Sequence, residues 1–167
     1  MRAWVLEQLA MYAAYHRDRR NQATHHLGVP MIVFALLLAS NQVVLADIGA
    51  ARITAGQLLL GGLMALYLGS VPLIGICASA FYAVIYALVL RVPADWIWPV
   101  TGGAFVLGWI VQFVGHGFEG RRPAFLVNLA QVFMAPAFLI AEMLFGLGLA
   151  RPLAADLTRR AEKYAVS

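Results

Sequence analysis

One cysteine, Cys77, stands among the 167 residues. An intrachain disulfide is therefore excluded, and the position of Cys77 inside an apolar run reads as a buried, inert thiol. Charge is also scarce. Asp, Glu, Lys and Arg make up 12% of the chain, with 12 basic residues against 8 acidic ones. No basic stripe with interleaved aromatics runs along a polar segment, so nucleic acid is not an expected partner. A cleavable signal would place an apolar stretch directly after a short basic start. Here the first 25 residues carry Arg2, Glu7, Arg17, Asp18, Arg19 and Arg20, and we read no cleaved signal. No internal repeat is evident. Histidine is rare too, and none of the four lies in a long polar loop.

What the chain does have is apolar length. Hydrophobic residues make up 62%, against about 45–50% in an average soluble domain. A membrane-spanning helix needs roughly 20 mostly apolar residues. Only helices and closed barrels satisfy the backbone in lipid. The runs here are longer than barrel strands and do not alternate strictly. The expectation is an all-α fold: a polytopic integral membrane helical bundle, one domain over 1–167, with an N-terminal amphipathic helix and four to five membrane segments.

Residues 2–20 read as that amphipathic surface helix, with Val5, Leu9, Tyr12 and His16 on one face. A break is expected within 21–28, and Pro30 suits the first turn of the next helix. Five apolar segments follow at 27–46, 54–70, 72–90, 96–115 and 124–150, with polar links at 47–52 and 91–95. Gly69-Ser70-Val71-Pro72 reads as a tight hairpin, and the tail 151–167 as a basic surface segment. Trp96, Trp98 and Trp109 suit interface or packing positions. Arg2, Arg17, Arg19 and Arg20 put the N-terminus in the cytoplasm. Four alternating spans then return 115–122 to the same face. A fifth span would leave Arg151, Arg159, Arg160 and Lys163 outside. A re-entrant hairpin broken near Pro136 keeps them inside and is slightly favoured.

Ionisable side chains at membrane depth are costly and mark functional sites. His16, His25 and His26 precede the first apolar run, and His116 closes another. On one unbroken helix His16 and His25 point about 180° apart, since each residue turns roughly 100°. They share a metal only if the chain turns between them, and 21–24 is the expected place. His26 is open to several roles. The plain alternative makes these residues exposed interfacial histidines. Gln112, His116 and Glu119 fall on one helical face at i, i+4, i+7. The alternative there is a polar helix end, with Glu119 paired to Arg121 or Arg122. Asn128, Gln131 and Glu142 share a face in the last run, where Glu142 reads equally as a partner orienting a histidine or as a structural hydrogen-bonding group. Several imidazoles and no thiolate suit iron, copper or zinc, and spacing does not choose among them. Four histidines limit the site to one metal ion; a bis-histidine haem is allowed by count.

Taken together, the two clusters are more specific than either alone. Tyr15-His16, Asn21, His25 and Gly28-Val29-Pro30, followed by Gln112-Phe113-Val114-Gly115-His116 and Glu119-Gly120-Arg121-Arg122-Pro123-Ala124, resemble the 2-hydroxy fatty acid dioxygenase family. The resemblance runs over essentially the whole chain, through Asn128, Ala135-Pro136 and Glu142. It implies iron(II)-dependent α-oxidation, in which a long-chain 2-hydroxy fatty acid and O₂ give the acid one carbon shorter. It implies His16, His25 and His116 as the metal ligands. Asn21, Gln112 and Glu119 are the expected assisting residues, and Arg121 or Arg122 suits a substrate carboxylate or, equally, anchoring to lipid headgroups. The expected partners are substrate, O₂ and membrane lipid, in a bacterial inner membrane with the site on the cytoplasmic face. The oligomeric state stays open, a homo-oligomer included. Two other classes compete: a membrane zinc hydrolase acting on a lipid amide or ester, and a non-enzymatic transporter or assembly factor.

Overall fold

A computed structural model describes residues 2–49, 51–120 and 130–164. Among them the chain forms seven α-helices: α1 (Arg2–Tyr15), α2 (Arg19–Ser40), α3 (Ala55–Ser70), α4 (Pro72–Val89), α5 (Ile97–Glu119), α6 (Ala130–Gly146) and α7 (Arg151–Ala161). The all-α class holds. Arg19–Ser40, Pro72–Val89 and Ala94–Glu119 are long and apolar enough to cross a membrane, while α3 and α6 are shorter apolar helices. Val106, Ile110 and Val114 form an exposed apolar stripe on α5, and Ile76, Val84 and Leu88 are exposed on α4. Such faces suit lipid and not water.

The helices start and stop where local chemistry dictates. Thr54 and Gln57 cap each other's backbone in a capping box at the start of α3. Val71 alone joins α3 to α4, and Pro72 opens α4 at a position where its missing N–H costs nothing. This is the hairpin the sequence reading expected. A side-chain Cβ at Gly75 would lie 2.6 Å from Leu68 Cα, so only glycine lets α3 and α4 approach this closely. Gly120, with φ +66°, ends α5 in the left-handed conformation.

Three expectations need correction. First, the break after the N-terminal helix falls at 16–18 instead of within 21–28, and Pro30 lies inside α2. Asp18 starts α2 by accepting a hydrogen bond from the Arg20 N–H at 2.7 Å. Second, the segment 27–46 is not one helix. It ends at Ser40, and an antiparallel ribbon follows, β1 (Val44–Asp47) with β2 (Arg52–Thr54), turning through Gly49 at φ +77°. Third, α6 runs unbroken through Pro136, so the last segment is not a hairpin broken there.

The core unites α1, α3, α4 and α6. Val5, Leu9 and Tyr12 of α1 pack with Tyr67, Ile74, Tyr82, Met134 and Phe138. The face predicted for α1 is therefore the buried one. Two further fasteners hold the bundle. The Tyr67 hydroxyl donates to the Phe133 carbonyl. Arg160 and Tyr164, in and just after α7, both bond Glu7 of α1.

Candidate metal centre

Glycine on both sides builds the seam that carries the site. A Cβ at Gly28 would lie 3.0 Å from the Gly108 carbonyl, and one at Gly108 would lie 2.7 Å from Ile32 Cγ1. A Cβ at Gly115 would overlap Thr24 Oγ1 and fall 2.6 Å from Asn21 Oδ1. These pairings run in opposite directions along the chain, so α2 and α5 are antiparallel. Small residues let membrane helices approach closely. Here the close approach sets His25 of α2 against His116 of α5, with ring centroids 5.1 Å apart.

The third histidine arrives from the α1–α2 turn. His16 lies 4.5 Å from His25 and 5.2 Å from His116, centroid to centroid. One ring nitrogen from each of the three falls within 4.8 Å of the others, and all three residues are buried. The turn that permits this is Arg17-Asp18, not the expected stretch further on. The Glu119 carboxylate accepts hydrogen bonds from the Arg17 and Asp18 N–H groups, both at 2.9 Å, and from Asn21 Nδ2 at 3.0 Å. One side chain at the end of α5 thus fastens the turn to α2.

The tautomers follow from the carbonyls. His16 Nδ1 lies 2.7 Å from the Tyr12 carbonyl oxygen and His25 Nδ1 lies 2.8 Å from that of Asn21. A carbonyl only accepts, so each Nδ1 carries the proton and each Nε2 keeps its lone pair. Orienting a ligand imidazole through its other nitrogen is how metal sites are commonly built. His16 Nε2 and His116 Nδ1 are buried with no protein partner. Tyr12 stacks on His16 at 4.0 Å and 7°, fixing the ring plane. The residues fit a metal ion: two buried ring nitrogens without partners and a third imidazole beside them.

Burial, with His25 and His116 adding repulsion against the bond to Tyr12, lowers the His16 pKa from 6.5 to about 3. The native state therefore holds this imidazole neutral where the unfolded chain would protonate it. Stability in the absence of metal is full above about pH 6.5 and falls as pH drops from there toward 3. Denaturant melts of metal-free protein from pH 7.5 to 4 would read this as a falling midpoint; His16→Gln should flatten part of the slope.

The other expected residues divide. Gln112 is buried and lines the same cavity as the histidines, and Asn21 is buried at the start of α2. Arg121, Arg122 and Asn128 lie outside the described residues. His26 is exposed, bonded to the Gln22 carbonyl and outside the group. Sequence reasoning undervalued Gln131, which lines the cavity and is 1% exposed. The available signal was an amide inside an apolar run. The cavity, about 70 Å³, has Trp109 on its wall. It continues past Val33, Leu36 and Val132, which also wall a second apolar cleft reaching Leu63 and Tyr82.

Glu119→Ala removes three hydrogen bonds and frees the turn that holds His16. We expect metal affinity to fall about 10–100-fold, the usual cost of losing a group that orients a ligand. Competition with a chromophoric chelator would measure it.

Fold and centre together define a class: an all-α protein with membrane-length apolar helices and three clustered imidazoles at one end of two of them. The chain belongs to the Mpo1-like family. The family model described as 2-hydroxy-palmitic acid dioxygenase Mpo1-like matches residues 3–147. The chain is also 34% identical over 154 residues to the 2-hydroxy-palmitic acid dioxygenase MPO1 of Saccharomyces cerevisiae, covering 90% of this chain and 85% of the yeast protein. No solved structure matches. Membership supports a 2-hydroxy fatty acid dioxygenase.

Proposed function

We propose that this protein is an iron(II)-dependent dioxygenase that shortens long-chain 2-hydroxy fatty acids by one carbon. The observation that carries the reading is the three-imidazole group opening onto a cavity that turns apolar away from it. His16, His25 and His116 hold the metal. Iron(II) bound there would supply a meeting place for O₂ and the substrate's hydroxyl and carboxylate. With the carboxyl carbon leaving as carbon dioxide, substrate and O₂ balance to shortened acid and water, with no outside reductant.

The chain's own residues do the rest. Tyr12 and Asn21 carbonyls keep the Nε2 lone pairs of His16 and His25 available. Glu119 keeps the ligand turn closed. Val33, Leu36 and Val132 give the acyl chain an apolar path. Arg121 and Arg122 follow α5 directly and are proposed to hold the carboxylate.

Four membrane segments, α2 to α5, with α1 and the N-terminus cytoplasmic, suit this reading. The antiparallel seam then sets all three histidines at the cytoplasmic end. Packing of α7 on α1 keeps Arg159, Arg160 and Lys163 on that same side. A bacterial inner membrane is the proposed location.

The test is a product assay. Detergent-purified protein would receive 2-hydroxypalmitate and ferrous iron in air, with anaerobic and zinc-loaded controls, and the acids would be read by mass spectrometry. The expected product is pentadecanoic acid, dependent on oxygen and iron. Its absence from folded, iron-loaded protein across several chain lengths would overturn the reading. Zinc-dependent cleavage of a lipid amide or ester would replace it with a hydrolase.

A further inference from the structure

Two buried amides line the cavity with the histidines, and they differ in one respect. Gln131, in the first turn of α6, has its NH₂ group committed. Nε2 donates to Gln8 Oε1 at 2.7 Å, with the Gln8 carbonyl at 3.4 Å and Met11 Sδ at 3.5 Å around it. Its Oε1 is buried with no partner. With Gln8 as placed, turning the amide over would set its oxygen against two oxygens of Gln8. Gln112 also has an orphaned buried Oε1, but no described residue anchors its amide, so it can offer either end.

A fixed acceptor in a dry wall is selective. It is satisfied only by a donor, and an orphaned buried acceptor costs free energy until one arrives. A carboxylate is acceptor-only, and an alkyl chain offers nothing. The hydroxyl of a 2-hydroxy acid is the one donor that such a substrate carries near its head. Resting on the dioxygenase reading above, we propose that Gln131, locked by Gln8, accepts the hydrogen bond of the substrate's C2 hydroxyl and is the residue that distinguishes 2-hydroxy acids from plain fatty acids. Gln8 acts through Gln131 as a positioning residue and does not touch substrate. Sites built around a substrate hydroxyl reject the analogue lacking it far more strongly than apolar pockets reject a size difference.

Equilibrium binding under argon tests this apart from turnover. Full-length iron-loaded protein in detergent would be titrated with 2-hydroxypalmitate and with palmitate, for wild type, Gln131→Leu, Gln131→Glu and Gln8→Leu. Wild type should prefer the hydroxy acid by at least about tenfold. Gln131→Leu should lose that preference by weakening the hydroxy acid alone. Gln131→Glu keeps an acceptor and should keep the preference, even with both acids bound more weakly. Gln8→Leu, which frees the amide to turn, should narrow it. Equal binding of both acids by wild type overturns the proposal, as does an undiminished preference in Gln131→Leu. Should Gln131→Leu fail to fold, an undiminished preference in Gln8→Leu overturns it instead. If wild type forms pentadecanoic acid while Gln131→Leu keeps its preference, the dioxygenase reading stands and this assignment falls. If wild type forms no shortened acid, the reading itself falls.

Discussion

Alanine at His116 is expected to empty the metal centre and to lower turnover of 2-hydroxypalmitate by about 10³-fold or more, since an ion left with two protein ligands binds weakly and loses its fixed geometry. Among the described residues the clustered metal-binding side chains are His16, His25 and His116. Removing one also leaves a void between α2 and α5 beside two lone pairs. Metal content by mass spectrometry and single-turnover product formation would both be measured. His26→Ala is the matched control, because His26 is exposed and outside the group. It should leave both readouts unchanged. A His116→Ala protein that is folded and retains a full complement of metal would remove His116 from the ligand set.

The second large effect is expected at a residue with no side chain. Gly115→Ala places a methyl group where Thr24 Oγ1 and Asn21 Oδ1 already sit. Asn21 is the residue whose carbonyl orients His25 and whose amide reaches Glu119. The seam must open or α2 must rotate, and both move His25 away from His116. Overpacking a tight contact costs about 1–3 kcal/mol. The effect on the centre should exceed what that figure conveys, because metal binding depends on distances of a few tenths of an ångström. Gly117→Ala makes a sharp comparison. A Cβ there meets nothing within 4 Å, and removing a helical glycine stabilises by up to about 1 kcal/mol. The pair, two residues apart, should shift the thermal midpoint in opposite directions. Equal midpoints and equal metal affinities would show that the α2–α5 seam tolerates side chains.

Much of this architecture was legible from hydropathy. Apolar runs of helical length mark α3, α4 and α5 to within a few residues, and the Ser70-Val71-Pro72 junction reads directly because proline cannot continue a helix from the preceding turn. What was not legible depends on partners distant in sequence. The chain breaks at Arg17-Asp18 although neither glycine nor proline stands there. Glu119 holds those two N–H groups, and no local pattern reports a carboxylate about one hundred positions away. Pro30 and Pro136 misled for the converse reason: tertiary packing of α2 and α6 tolerates a proline that an isolated helix would not. The exposed ribbon after α2 was hidden by its own composition, since Val43, Val44 and Leu45 extend the apolar run without a visible seam. At the site, the three histidines stand out as rare ionisable groups at the ends of apolar segments. Gln131 does not stand out in the same way. Its significance comes from Gln8, which engages the amide nitrogen and leaves the buried oxygen without a partner, and sequence alone does not report that pairing.

Glu119 also sets an order of events during synthesis. The clustered histidines come from positions 16, 25 and 116, and the clasp on the turn between the first two comes from position 119. When α2 has been made, its partner α5 has not yet been synthesised. His25 and Asn21 must wait through the synthesis of α3 and α4 before α5 can meet them. The three imidazoles have no cluster to form until α5 closes against α2. A nascent chain stalled short of residue 116 would therefore carry two of the three histidines and none of the cluster, which belongs to the finished bundle.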